Sequence, residues 1–121
     1  MQKRILFVDT FPFGCESLVE VAELRGYLSL MSCKDGNPGL SAQGAINLMA
    51  IHMPDLIVSS ILEDEGGYMY FDVLKLVAYT LGLPIILYTS KIYQPHILGE
   101  NMILMGDTER FWERVEAILS N

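Results

Sequence analysis

Eight residues stand where chemistry could be done: Asp9, Thr10, Cys33, Ser59, Ser60, Thr89, Ser90 and Met105. Each lies at or just past the end of an apolar run, where a strand delivers side chains to an open edge. Asp9 brings a carboxylate, able to hold a cation, to accept loop N–H groups or to pair with Lys91. Ser60 brings a hydroxyl, which is un-ionised near neutral pH and attacks only when a base takes its proton. His52 is expected at the opposite end of the strands and His96 in a weakly patterned stretch, so neither is placed to act as that base. No nucleophile–base pair is expected from these positions, and an enzyme is not expected.

The other reactive groups are sparser. Cys15 and Cys33 follow the first and second apolar runs, so their sulfurs could meet if those runs are neighbouring strands. They lack Cys-x-x-Cys spacing and nearby cations, which favours ordinary buried thiols over a redox pair. Glu63, Asp64 and Glu65 could recruit a metal, but such runs are usually solvated loops. There is no Gly-x-Gly-x-x-Gly, TFPFGCES has few hydroxyls for a flavin loop, and it has no histidine for cobalamin. No metal and no cofactor are expected.

These residues need a frame. Ile5 to Val8, Tyr27 to Cys33, the run after Pro54 that stops at Ser59 and Ser60, LPIILYTS from Pro84, and Met102 to Met105 read as strands. Helical spacing covers Cys15 to Arg25, with Leu18, Val21 and Ala22 on one face. Ser41 is expected to cap a helix over Ala42 to His52, with Ala45, Ile46 and Met49 inward. Further helices are expected over Tyr68 to Leu81 and Asp107 to Leu119, with Lys91 to Gly99 weakly patterned. Gly26 and Gly82 end two of these helices. Continuous apolar strands alternating with helices imply a parallel sheet covered on both faces, an α/β three-layer doubly wound fold. In that architecture the carboxyl ends of the strands form the working edge.

Bulk properties narrow the function. The 121 residues suit a single domain, 1–121. A formal net charge of -7 argues against nucleic acid and against an anionic membrane surface. No apolar run is long enough to span a bilayer, and MQKRILFVDT lacks the features of a secretory signal. A cytoplasmic protein is expected. Apolar residues make up 51%, a large share for this size, which hints at a surface covered by a partner or a second copy.

KRILFVDT, HMPDLIVSS, LPIILYTS and ERVEAIL, in this order and spacing, resemble the receiver domains of bacterial response regulators, over essentially the whole chain. The resemblance implies a five-stranded flavodoxin-like (CheY-like) sheet of order 2-1-3-4-5. It implies a site in which an aspartate after the third strand accepts a phosphoryl group. Two acidic residues after the first strand would hold Mg²⁺, and a hydroxyl and a lysine would bind the phosphate.

Position by position, Asp9 matches the first acidic residue, but the second falls on Thr10. The phosphoacceptor falls on Ser60, the hydroxyl on Thr89, the lysine on Met105 and the switch aromatic on Met102. The chain is short between Thr89 and the fifth strand, so a shortened fourth helix is expected. It is long between Asp9 and Ser60, with KDGNPGLS holding the extra residues. One carboxylate in place of three leaves Mg²⁺ little to bind.

The expectation is therefore a degenerate, or pseudo-, receiver: a stand-alone bacterial response-regulator-like module, related to two-component phosphorelay proteins. It would signal by phosphorylation-independent protein–protein interaction, with a protein partner or as a homodimer. YMYFDVLKLVAYTL marks the surface, because placing Phe71, Leu74, Ala78 and Leu81 inward leaves Leu76 and Tyr79 outward. The stretch from Lys91 to Met105 is a second candidate surface. Trp112 is expected at the edge of the core. The alternative is a small-molecule or redox sensor using the edge pocket around Asp9, Cys15, Cys33 and Ser60.

Overall fold

The apolar runs form strands because their residues are buried on both faces. Leu56–Ser59 (β3) and Ile85–Thr89 (β4) are buried at every position, as the centre of a covered parallel sheet requires. A computed structural model describes residues 2–90 and 98–120. Its remaining strands are Arg4–Asp9 (β1), Leu28–Cys33 (β2) and Met102–Leu104 (β5). All four pairings are parallel, and the order is β2-β1-β3-β4-β5, as the resemblance implied. β2 is an edge strand and its side chains are unevenly covered.

Four α-helices are described: Pro12–Leu24 (α1), Pro38–His52 (α2), Tyr70–Thr80 (α3) and Thr108–Leu119 (α4). α1 and α4 cover one face, packing Cys15, Ala22, Phe111 and Val115 against Ile5, Phe7, Val58 and Ile86. α2 and α3 cover the other, packing Ala45, Met49, Phe71, Leu74 and Ala78 against Leu6, Ile57 and Ile85. Trp112 is buried with the first core, edge-on to Phe111, with the Arg25 guanidinium 4.8 Å from its ring centroid.

Three helix starts lie two or more residues from expectation, and α4 begins one residue late with Asp107 as its cap. α1 begins at Pro12 and α2 at Pro38, because proline at the first helical position has its φ preset and lacks a donor the helix would leave unpaired. The α2 cap is Asn37, whose side chain accepts from Leu40 N, and not Ser41. α3 begins at Tyr70 because Met69 bridges back to Glu63 in a small antiparallel turn. Leu81, expected inward, is the α3 C-cap and is partly exposed. β5 ends at Leu104, one residue before Met105. The expected fourth helix falls largely on residues 91–97, outside the described residues. The described remainder of that connection holds a 3-10 turn, Gly99–Asn101.

Candidate functional site

Parallel register brings the candidate residues to one edge. Val8 pairs with Ser59 and Asp9 with Cys33, so Asp9, Ser60 and Cys33 emerge side by side from adjacent strands. Ser60 N donates to Val8 O at 3.1 Å and holds the end of β3 against β1. Ser60 Oγ donates to Asp9 Oδ1 at 3.1 Å. Thr10 N donates to the same oxygen at 2.6 Å. Ser59 Oγ turns back to Ser60 O at 2.7 Å.

The second carboxylate oxygen lies close to α1. A Cβ at Gly14 would lie 3.0 Å from Asp9 Oδ2, so the carboxylate rests against the first turn of α1. That helix has no side-chain cap and no acidic residue in its first turn. The carboxylate therefore meets the positive end of an otherwise uncapped helix, a favourable placement for an anion. Glycine at position 14 is what leaves room for it.

Ser41, expected as a helix cap, is the support beneath the site. Its fully buried hydroxyl donates to Asp9 O at 2.8 Å and accepts from Lys34 N at 2.9 Å. Its own carbonyl accepts from Ser32 Oγ at 2.7 Å. The chain Ser32–Ser41–Asp9 thus fastens α2 to the ends of β1 and β2. An alternative cap, the Asn-Pro step just upstream, was the sequence signal that would have released Ser41 for this role.

Thr89 is buried at the end of β4, and its carbonyl accepts from Met105 N at 2.7 Å. Met105 is 45% exposed, so the residue at the lysine position is an apolar side chain at the rim. Met102 is half-buried against the α2–α3 core. Tyr88, which the strand pattern alone did not single out, lines the cavity at this edge. It packs on Phe111 at 4.5 Å and accepts weakly from Gly106 N at 3.4 Å. The half-open cavity here, lined by Asp9, Cys15, Ser60, Tyr88 and Met105 among others, is about 20 Å³. That is room for one water, and none for a flavin or a nucleotide.

The two cysteines come to the same edge, as the strand order allows. Cys15, in α1, is buried, and half-buried Cys33 packs against the core that contains it. Burial, then the Asp9 carboxylate and Cys33, push the Cys15 thiol up to about 12. Cys33 is also raised, by burial first and then by Asp9.

The acidic run folds on itself. Asp64 Oδ1 accepts from Tyr68 N at 2.9 Å, and its carbonyl accepts from Gly67 N at 3.0 Å. With Asn37, Pro38 and Tyr70 it lines an open groove of about 450 Å³. Among the described residues no three His, Cys, Asp or Glu side chains group as metal ligands. The pairing of Asp9 with Lys91 lies outside the described residues, as does His96.

What this edge can do is limited by charge. The Mg²⁺ that the resemblance implies would have Asp9 as its one carboxylate, already shared between Thr10 N and Ser60 Oγ. The residues present do not fit that ion, which favours several oxygen ligands of high charge. The Asp9 carboxylate does lie within reach of the Ser60 hydroxyl, so an acceptor for its proton exists where none was expected. A carboxylate works in this way when an electrophile is held in line and metal offsets the charge. A cavity of about 20 Å³ with one carboxylate offers neither.

The chain has the fold of response-regulator receiver domains. It is similar to response regulator protein TrrA from Thermotoga maritima, solved in complex with Mg(2+)-BeF, with a TM-score of 0.75 and 22% identity over 98% of this chain and 100% of that one. A second response regulator from Thermotoga maritima gives 0.74 and 14% identity, covering all of both chains. The signal receiver domain of an HD domain-containing protein from Pseudomonas fluorescens gives 0.69 and 18%, again over both whole chains. Comparison with protein-family models gives no match, and neither does comparison with curated proteins.

Proposed function

We propose that this protein is a response-regulator-like signalling module that works by protein contact and takes up no phosphoryl group. The observation that carries the reading is the hydrogen bond from Ser60 Oγ to Asp9 Oδ1. A neutral hydroxyl stands where the receiver fold would present its acceptor carboxylate. The companion positions, Thr10 and Met105, bring neither a carboxylate nor a cation. The fold supports the signalling class, and the lost charges support independence from phosphorylation. On this reading the protein is not an enzyme.

With the edge closed, information is carried by surface. α3 turns Leu76 and Tyr79 outward at 66% and 55% exposure, with Tyr68 and Val73 also exposed. Asp72 and Lys75, 4.0 Å apart, are the charges alongside. A protein partner or a second copy of this chain is the occupant proposed for this face. No described helix is long and apolar enough to cross a membrane. The deciding experiment is incubation with acetyl phosphate and Mg²⁺ followed by intact mass measurement. An unmodified mass is expected, and a stable phosphoprotein would refute the reading.

A further inference from the structure

We propose that Cys15 and Cys33 are a dithiol site that closes to an intramolecular disulfide when the protein meets a low-molecular-weight disulfide. The geometry is long-range and specific. Cys33 ends β2 opposite Asp9, Cys15 stands in the first turns of α1, and Cys33 packs against the core that contains Cys15. Cys15 lines the small cavity beside Asp9 and Cys33 stands opposite Asp9 on the neighbouring strand, so the two thiols flank the same carboxylate. They differ in access: Cys15 is buried, and Cys33 is half-buried at the open edge of the sheet.

That difference orders the steps. Cys33, as thiolate, attacks one sulfur of the incoming disulfide, forming a mixed disulfide and releasing one equivalent of thiolate. Cys15 loses its proton to solvent and attacks Cys33 Sγ, expelling the second thiolate. The two protein thiols are oxidised and the external disulfide is reduced to two thiols, so electrons balance. Burial and the Asp9 carboxylate oppose ionisation of both thiols, which makes the site slow but leaves its pairing intact. The bond would tie α1 to the end of β2 beside Asp9, at the edge the proposed function leaves without phosphoryl chemistry.

The test uses the whole protein, reduced and folded, with excess oxidised glutathione, acid quenching, intact mass and non-reducing peptide mapping. The expected product has lost two hydrogens, carries no lasting glutathione adduct and yields a linked Cys15–Cys33 peptide. Cys15→Ala should instead accumulate glutathione on Cys33, whereas Cys33→Ala should stay unmodified while folded. Wild-type protein that halts at the adduct, or stays reduced while its urea-unfolded form is oxidised, would overturn the proposal. So would faster capture at Cys15 than at Cys33. The wild-type arm stands without either variant, and its readout is independent of partner binding and of phosphorylation.

Discussion

Ser60 Oγ reaches Asp9 Oδ1 at 3.1 Å across two strand ends that are 51 residues apart in sequence. The contact exists because β1 and β3 pair in parallel with Val8 opposite Ser59, so the next residue of each strand emerges at the same edge. Thr10 N holds the same oxygen at 2.6 Å, and α1 meets the other through Gly14. The one carboxylate retained at the receiver-like edge is thereby engaged by the first loop and the Ser60 hydroxyl.

Replacing Ser60 by aspartate would set a second carboxylate against Asp9 in place of a hydroxyl donor. Like charges at hydrogen-bonding distance repel, so Ser60→Asp should destabilise by roughly 1–3 kcal/mol without divalent cations. Mg²⁺ should raise its melting temperature and leave wild type unchanged. Thermal melts in Mg²⁺ and in chelator measure both. An equal rise for wild type would show that Asp9 alone seats the ion, and the proposed loss of metal binding would then fail.

The Ser32–Ser41–Asp9 chain depends on close approach of α2 to β2. A Cβ at Gly44 would lie 2.6 Å from Ser32 Oγ, which is buried and bonded to Ser41 O. Gly44→Ala should cost about 1–3 kcal/mol through this clash. In a Ser32→Ala background the cost should shrink, giving a coupling energy of about 0.5 kcal/mol or more in a urea-denaturation double-mutant cycle. Additive losses would place the strain elsewhere.

Leu76→Asp and Tyr79→Asp change exposed side chains with little packing to lose. Folding stability should stay within about 0.5 kcal/mol of wild type. Self-association by sedimentation, or partner capture once a partner is in hand, should weaken in both. If both variants keep the oligomeric state and partner binding of wild type, the contact surface lies off α3.

The Cys15 thiol gives stability a definite pH dependence. Its folded pKa is raised from 9.0 to about 12 by burial, then by the Asp9 carboxylate and Cys33. The folded state therefore holds the proton where the unfolded state has lost it. The contribution is complete below pH 9, falls as pH rises above it, and is gone above about 12. Urea midpoints measured in reductant should decline above pH 9 more steeply for wild type than for Cys15→Ala. Parallel curves would show that Cys15 is not the group responsible.

Much of the frame was legible. Ile5–Val8, Leu56–Val58 and Ile85–Leu87 are apolar at consecutive positions, which an alternating one-sided strand would not be, and all are buried. Helix starts were less legible, because Ser41 is a good capping type and yet Asn37-Pro38 takes the role just upstream. Capping preference is local, whereas Ser41's burial against Asp9 depends on how α2 lies on the sheet. The start of α3 moved for a related reason: the Glu63–Met69 bridge claims Tyr68 and Met69 for the loop.

The amino-acid sequence by itself determined that strands alternate with helices, which residues stand at the strand ends, and that positions 10, 60 and 105 carry no ionisable side chain. Those properties follow from residue type and spacing along the chain. Only the tertiary structure decided that Asp9 accepts from the Ser60 hydroxyl, that Ser41 supports it from below, and that Cys15 and Cys33 come to one edge. Each of these is a contact between distant segments, and its existence depends on strand register and helix packing, to which local pattern is blind.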